Sequence, residues 1–296
     1  MAGFFHGEQD KTSMPQPLTP HQAPAPGSAL RGHGSGWRVL GCVLLAGLLG
    51  ACAGGPEPEV ATIATRAPTP WDTASVSDGV RTGQAESAAS RWQHLTFPGK
   101  TANQFAYLQV DGRRAMGVRS SSAVSMLRKT VSIEPAQLGS LRFSWKVPGL
   151  IAGADLGQRE KGDSPVRLVL AFDGDRSRMS QRDHMLSELA RTLTGEEMPY
   201  ATLMYVWSSH HAPGTVLKSS RTDRIRKLVL ESGPTRLNRW LDYERDIRAD
   251  FVQAYGEEPG RLIAVGIMTD TDNTRASTQA WYGPVVLGAA AQAAAR

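Results

Sequence analysis

The chain has 296 residues and a formal net charge of +5, with 33 Lys and Arg against 28 Asp and Glu. That length suits one large domain or two small ones. The basic residues are spread along the chain without a dense block, which argues against nucleic acid as a partner, since such binders cluster their charge.

In chain order, residues 1–36 are rich in Pro, Gly, His and Gln and read as a disordered extension or as sequence upstream of a later start, for which Met14 is a candidate. "WRVLGCVLLAGLLGAC" (Trp37 to Cys52) is an apolar run behind Arg31 and Arg38. It is too short for a spanning helix, which needs about 20 apolar residues, and has the shape of a secretory leader core over 37–51. Its end, Leu49-Gly50-Ala51-Cys52, resembles the lipobox of bacterial lipoproteins, which implies lipidation at Cys52 and a membrane partner through that anchor. The only other cysteine, Cys42, lies inside the leader, so the mature domain would have no thiol for catalysis, disulfides or zinc. Residues 52–90, with "AGGPEPEV" and "ATRAPTPW", have the composition of a flexible tether.

From residue 91 to 288 the rhythm is period two. "SLRFSWKV" puts Leu141, Phe143, Trp145 and Val147 on one face and Ser140, Arg142, Ser144 and Lys146 on the other. "WQHLTF", "QFAYLQV", "RAMGVRS", "AVSMLRKTVSI", "VRLVLAF", "ATLMYVW", "RIRKLVL" and "RLIAVGIMT" read as further strands, the last of them central because it is apolar on both faces. "WYGPVVLG" closes the domain, with Pro284 marking an edge, a bulge or a strand start. Two segments break the rhythm. Met185, Leu189 and Leu193 in "SQRDHMLSELARTLTG", and Ile247, Phe251 and Tyr255 in "DIRADFVQAYGEEP", recur every four residues before a glycine, so each predicts a short amphipathic helix. The expected fold is mainly β: a two-sheet antiparallel sandwich, jelly-roll-like, with two inserted helices and an Ala-rich tail at 289–296.

Nucleophile-elbow, phosphate-loop and zinc-protease motifs are missing. Carboxylate pairs follow two strands: Asp173 and Asp175 in "FDGDRSR", read as a turn, and Asp270 and Asp272 in "TDTDNT". The second, with Asn273 and Thr274, is either a turn closed by its own side chains, a ligand-contacting loop or a Ca²⁺ site on Asp270 and Asp272. No other cofactor is expected. In "YVWSSHHAPG", Tyr205 and Trp207 share a face, as core residues or as a stacking platform for a sugar ring. His210 and His211 follow; neighbours on an extended segment point oppositely, so a shared metal is not expected of them. Trp240 opens a strand that runs into the second helix, and is a further candidate contact.

"FPGK", "LRFSWKV", "VRLVLAF", "LMYVWS", the segment from Trp240 to Glu257 and "VGIMTDTDNT…AWYG" occur in that order. This pattern, from about Trp92 to Leu287, resembles the bacterial envelope proteins grouped as domain of unknown function 3047. The resemblance implies a setting in the envelope and carries over no catalytic residues. The leading expectation is a lipid-anchored protein facing the periplasm, on the outer membrane rather than the inner. It would bind a saccharide or glycan without chemistry, through Asp270, Asp272, Asn273, Thr274, Tyr205, Trp207, His210 and Trp240. The alternatives are an envelope hydrolase using an Asp pair and a scaffold lipoprotein.

Overall fold

The computed structural model describes residues 62–75 and 91–289. The leader, Cys52, most of the tether and the tail from residue 290 lie outside these residues.

Alternation of side chains builds two sheets. The larger contains β1 (Ile63–Thr65), β2 (Gln93–Thr96), β5 (Val124–Ile133), β7 (Ser164–Phe172), β8 (Ala201–Ser208), β9 (Val216–Lys218), β10 (Ile225–Ser232) and β12 (Leu262–Asp270). Its order is β1-β2-β5-β12-β7-β8-β10-β9, and β12 is central as its apolar character predicts. Every pairing is antiparallel except β8 with β10. The parallel pair is possible because β9 and the loop before it intervene between them and carry the chain back across the sheet.

The smaller sheet holds β3 (Gln104–Val110), β4 (Arg113–Ser121), β6 (Leu138–Lys146), β11 (Leu241–Asp246) and β13 (Ser277–Tyr282), in the order β11-β6-β13-β4-β3. A last strand, β14 (Val286–Ala289), also pairs with β6, and Pro284 sits in the break between β13 and β14. The protein is thus a two-sheet, jelly-roll-like β-sandwich.

The sheets meet through the expected inward faces. Leu141, Phe143, Trp145 and Val147 are all buried, and Phe143 stacks on Tyr205 of the other sheet with ring centroids 5.8 Å apart. Tyr282 crosses between sheets, donating its hydroxyl to the Met268 carbonyl at 2.6 Å and accepting from the Arg167 amide at 3.2 Å. The polar atom of this large buried ring is therefore satisfied.

Helix α2 (Gln181–Thr194) and helix α3 (Ile247–Tyr255) occupy the two predicted positions. Both end at a left-handed glycine, Gly195 and Gly256. Their apolar stripes have different fates. In α3, Ile247 and Phe251 are fully buried, and Phe251 packs edge-on to Phe172. In α2 the stripe points outward, with Met185 72 % and Leu189 53 % exposed, while Asp183 and Ser187 are buried. Polar contacts hold α2 in place: Thr222 donates to Asp183, and Arg176 reaches Ser187 Oγ at 3.3 Å.

One boundary is corrected. Residues 62–75, assigned by composition to a tether, are part of the domain. The short strand β1 pairs with β2, and helix α1 (Pro70–Ala74) inserts Trp71, with no exposed surface, against Trp92 at 4.8 Å. Trp71 Nε1 donates to the Tyr282 carbonyl at 2.9 Å. Proline and threonine compose a helix start here: Thr69 caps and Pro70 opens the first turn.

Candidate functional site

The face of the larger sheet turned away from the core carries the other half of each strand's alternation. Val124, Met126 and Arg128 come from β5, Arg167, Val169 and Ala171 from β7, Met204 from β8, Lys227 from β10, and Ala264, Gly266, Met268 and Asp270 from β12. These residues line a groove of about 720 Å³, within the usual size range of ligand sites. Its walls are the loop around Leu156–Gly162, the end of α2 with the segment that follows, and residues 219–221. Arg128 ties the α2 side in place by bonding Glu196 at 2.9 Å.

Valine, methionine and alanine side chains make most of the floor. Val124, Leu156, Val169, Met204, Val206, Val229 and Met268 form an apolar cluster of their own, separate from the core between the sheets. Among the described residues, Phe97 is the one aromatic ring on the lining.

Charge gathers at one end. Arg167 and Asp270 are both buried and pair at 2.8 Å. Arg167 also donates to the Gly162 carbonyl, while its Nε is buried with no partner. Burial pushes Asp270 up to about 8, with Asp272 and Asp163 adding to the push and Arg167 opposing it. Lys227 donates to the Leu156 carbonyl at 3.0 Å. Burial, and then the neighbouring Arg167, bring its ammonium down to about 8. Two groups with opposite perturbations on one groove mark a place where charge is held out of water.

The "TDTDNT" loop ends β12 at this charged rim. Asp163, from the facing loop, holds it: its carboxylate accepts from the Asn273 amide at 3.3 Å, Asn273 Nδ2 at 2.8 Å, the Thr274 amide at 2.8 Å and Thr274 Oγ1 at 2.6 Å. Burial works against ionisation of Asp163, but these bonds outweigh it and hold the carboxyl below its ordinary range. Asp272 accepts from Lys100 and from Asn273 Nδ2 at 3.2 Å. Carboxylate oxygens of Asp163, Asp270 and Asp272 lie within 4.8 Å of one another. Their lone pairs already face Arg167, Lys100 and loop amides, so Ca²⁺ would have to displace two cations to be held there.

The sequence candidates separate. Asp270, Asp272 and Asn273 line the groove, and Thr274 is bound to Asp163 beside it. Tyr205 and Trp207 do not reach it. They are buried on the core side of β8, where Tyr205 donates to Asp250 at 2.7 Å and Trp207 to the Gly233 carbonyl at 3.1 Å. A stacking platform is therefore ruled out for them by the strand's parity. Trp240 lies before β11 of the other sheet, under Arg113 at 5.5 Å, away from the groove. His210 sits beyond the groove lining, its ring 4.3 Å from that of His211. The two histidines share a side because residues 209–211 form a bend after β8 rather than an extended segment.

Arg167 and Lys227 were not among the sequence candidates. For Arg167 the signal was a lone cation inside the otherwise apolar "VRLVLAF"; Lys227, beside Arg226 in "RIRKLVL", had no such signal.

Residues 90–286 match the family described as protein of unknown function (DUF3047), and the chain belongs to that family. No curated protein matches the sequence. Among solved structures, the xyloglucanase domain of NopAA, a type three effector from Sinorhizobium fredii, is similar at 8 % identity and a TM-score of 0.37, covering 66 % of this chain and 93 % of that one. The family 11 xylanase from Neocallimastix patriciarum is similar at 8 % identity and 0.33, over 71 % and 96 %. A family 29 carbohydrate-binding module is similar at 14 % identity and 0.23, over 64 % and 76 %. At such scores these likenesses say nothing of what this chain binds.

Proposed function

We propose that this protein is a non-catalytic binding domain of the bacterial cell envelope, anchored by lipid at Cys52, whose groove holds an acidic saccharide bearing an acyl chain. The observation that carries the ligand class is the groove's aliphatic, methionine-rich floor leading to the buried charges Arg167, Asp270 and Lys227, while the charges on the α2 side, Glu196 with Arg128 and Glu197 with Arg176, are paired. Flexible methionines suit an acyl chain, and a floor with a single aromatic ring suits it better than a bare sugar ring. Lys227, the Arg167 guanidinium and the rim around Lys100 offer donors to acidic groups and hydroxyls. The anchor is supported by the lipobox-like Leu49-Gly50-Ala51-Cys52 after an apolar run.

The hydrolase reading is less well supported. A glycosidase sets two carboxyl groups about 5–5.5 Å or 6.5–9.5 Å apart across its substrate. Here Asp270 and Asp272 share one strand end, and Glu196, on the α2 side of the groove, is committed to Arg128.

The test is the melting temperature of the protein with an acylated acidic oligosaccharide, the same saccharide deacylated, and a fatty acid alone. The acylated form is expected to give the largest upward shift; ligand at 100 times its Kd adds about 2.7 kcal/mol to the native state. Equal shifts with the acylated and deacylated forms, or release of shortened saccharide, would overturn the reading.

A further inference from the structure

We propose that Asp155, His210 and His211 form a binding site for a divalent transition-metal ion, best matched by zinc, at the outer end of the groove. Three ligand atoms converge there. His210 Nε2 lies 3.4 Å and His211 Nε2 3.8 Å from Asp155 Oδ1, and all three are within 4.8 Å of one another. These separations are too long for good N–H···O hydrogen bonds, which run about 2.7–3.2 Å. They approach the edge of a tetrahedron, about 3.3–3.5 Å for zinc bonds of about 2.0–2.2 Å to nitrogen and oxygen.

The groups around the cluster orient its ligands. His211 Nδ1 is 3.0 Å from Ser208 Oγ. That contact fixes the ring with Nε2 turned to the cluster, as metal-bound histidines are oriented through their other ring nitrogen. Asp155 is fixed by the Gly157 amide at 2.8 Å and by Gln158 Nε2 at 2.7 Å. Space is also reserved: a Cβ on Gly157 would stand 3.3 Å from both Asp155 Oδ1 and His211 Nε2. His210 is exposed, which gives an ion a path in. Two imidazoles and one carboxylate suit zinc, nickel or copper rather than calcium or magnesium, and leave one tetrahedral position for water.

The consequence is mechanical. Asp155 continues into Leu156 and Gly157, which line the groove, and Lys227 holds Leu156 by its carbonyl. A bound ion would fasten this loop to the end of β8.

The test is zinc binding by the full chain, followed by calorimetry and by melting temperature with and without chelator. Cys42, Cys52 and the histidines near the N-terminus set a background, measured on the double variant His210→Ala/His211→Ala. The wild type is expected to bind one zinc ion more than the double variant and to melt higher with zinc, reversibly. Asp155→Asn should weaken that site at least tenfold, Gly157→Leu should abolish it with all three ligands present, and His184→Ala should leave it intact. Equal zinc stoichiometry in wild type and double variant, or an undiminished site in Gly157→Leu, would overturn the assignment. The readout uses no groove ligand, so its failure is separable from failure of the proposed function.

Discussion

Lys227 and Asp270 carry the pH behaviour of the groove. Lys227 has its folded pKa lowered from 10.5 to about 8. Its contribution to stability is therefore fully present above 10.5 and is lost as pH falls through 8. An acidic ligand beside it restores the charge, so binding should take up a proton above pH 8 and weaken as pH rises from 8 to 10. Calorimetry in buffers of different ionisation enthalpy measures that proton, and Lys227→Met should remove the Lys227 share of the uptake and flatten the pH dependence to what Asp270 contributes. Asp270 has the opposite sign. Its folded pKa is raised from 3.8 to about 8, so stability is fully present below 3.8 and is lost as pH rises through 8. Arg167 offsets that loss. Arg167→Met should cost about 3–5 kcal/mol in urea unfolding at pH 9, the range for a buried pair that loses one partner, and clearly less at pH 6, where Asp270 is neutral. An equal cost at both values would mean that Asp270 is ionised throughout. Of these groups the sequence made only Asp270 conspicuous, because it sits in a dense polar run. Arg167 is a single charge in an apolar strand and Lys227 stands beside Arg226 and ahead of Glu231 in its own, and the burial of both depends on which strands flank them.

At the scale of elements, docking decides what periodicity leaves open. α2 and α3 have the same four-residue spacing, yet α3 buries Phe251 and α2 exposes Met185. Spacing defines a stripe, but the neighbour decides whether it is covered. The converse holds for residues 62–75, whose Pro and Thr content reads as linker although Trp71 anchors them in the core. Trp71→Ala should cost about 3–5 kcal/mol, as for other large buried aromatics, measured by chemical denaturation. A tether that did not dock would show no change. The strands were legible because one face of each packs in a core, which forces alternation; β12, flanked by β5 and β7 and apolar on both faces, lacks that alternation and reads as central for that reason. Short β1 and β9, three residues each, carry too few alternating positions to be seen.

For the whole molecule, the central point is that one sheet has two apolar faces. The inner closes the sandwich; the outer, with its own cluster of Val124, Val169, Met204 and Met268, is the floor of the groove. An apolar sheet face of this size signals a surface built to be covered. The sequence showed the two apolar faces of β12 but not the opening above them, because the walls come from loops and a helix distant in the chain. The most direct test is the heat capacity change on binding an acylated acidic saccharide, measured by calorimetry over a range of temperatures for the wild type and for Ala264→Trp, which fills the groove floor. The account expects a clearly negative change in the wild type, the mark of apolar surface leaving water, and loss of binding in the variant. Unchanged affinity in Ala264→Trp, or binding with no heat capacity change, would contradict it.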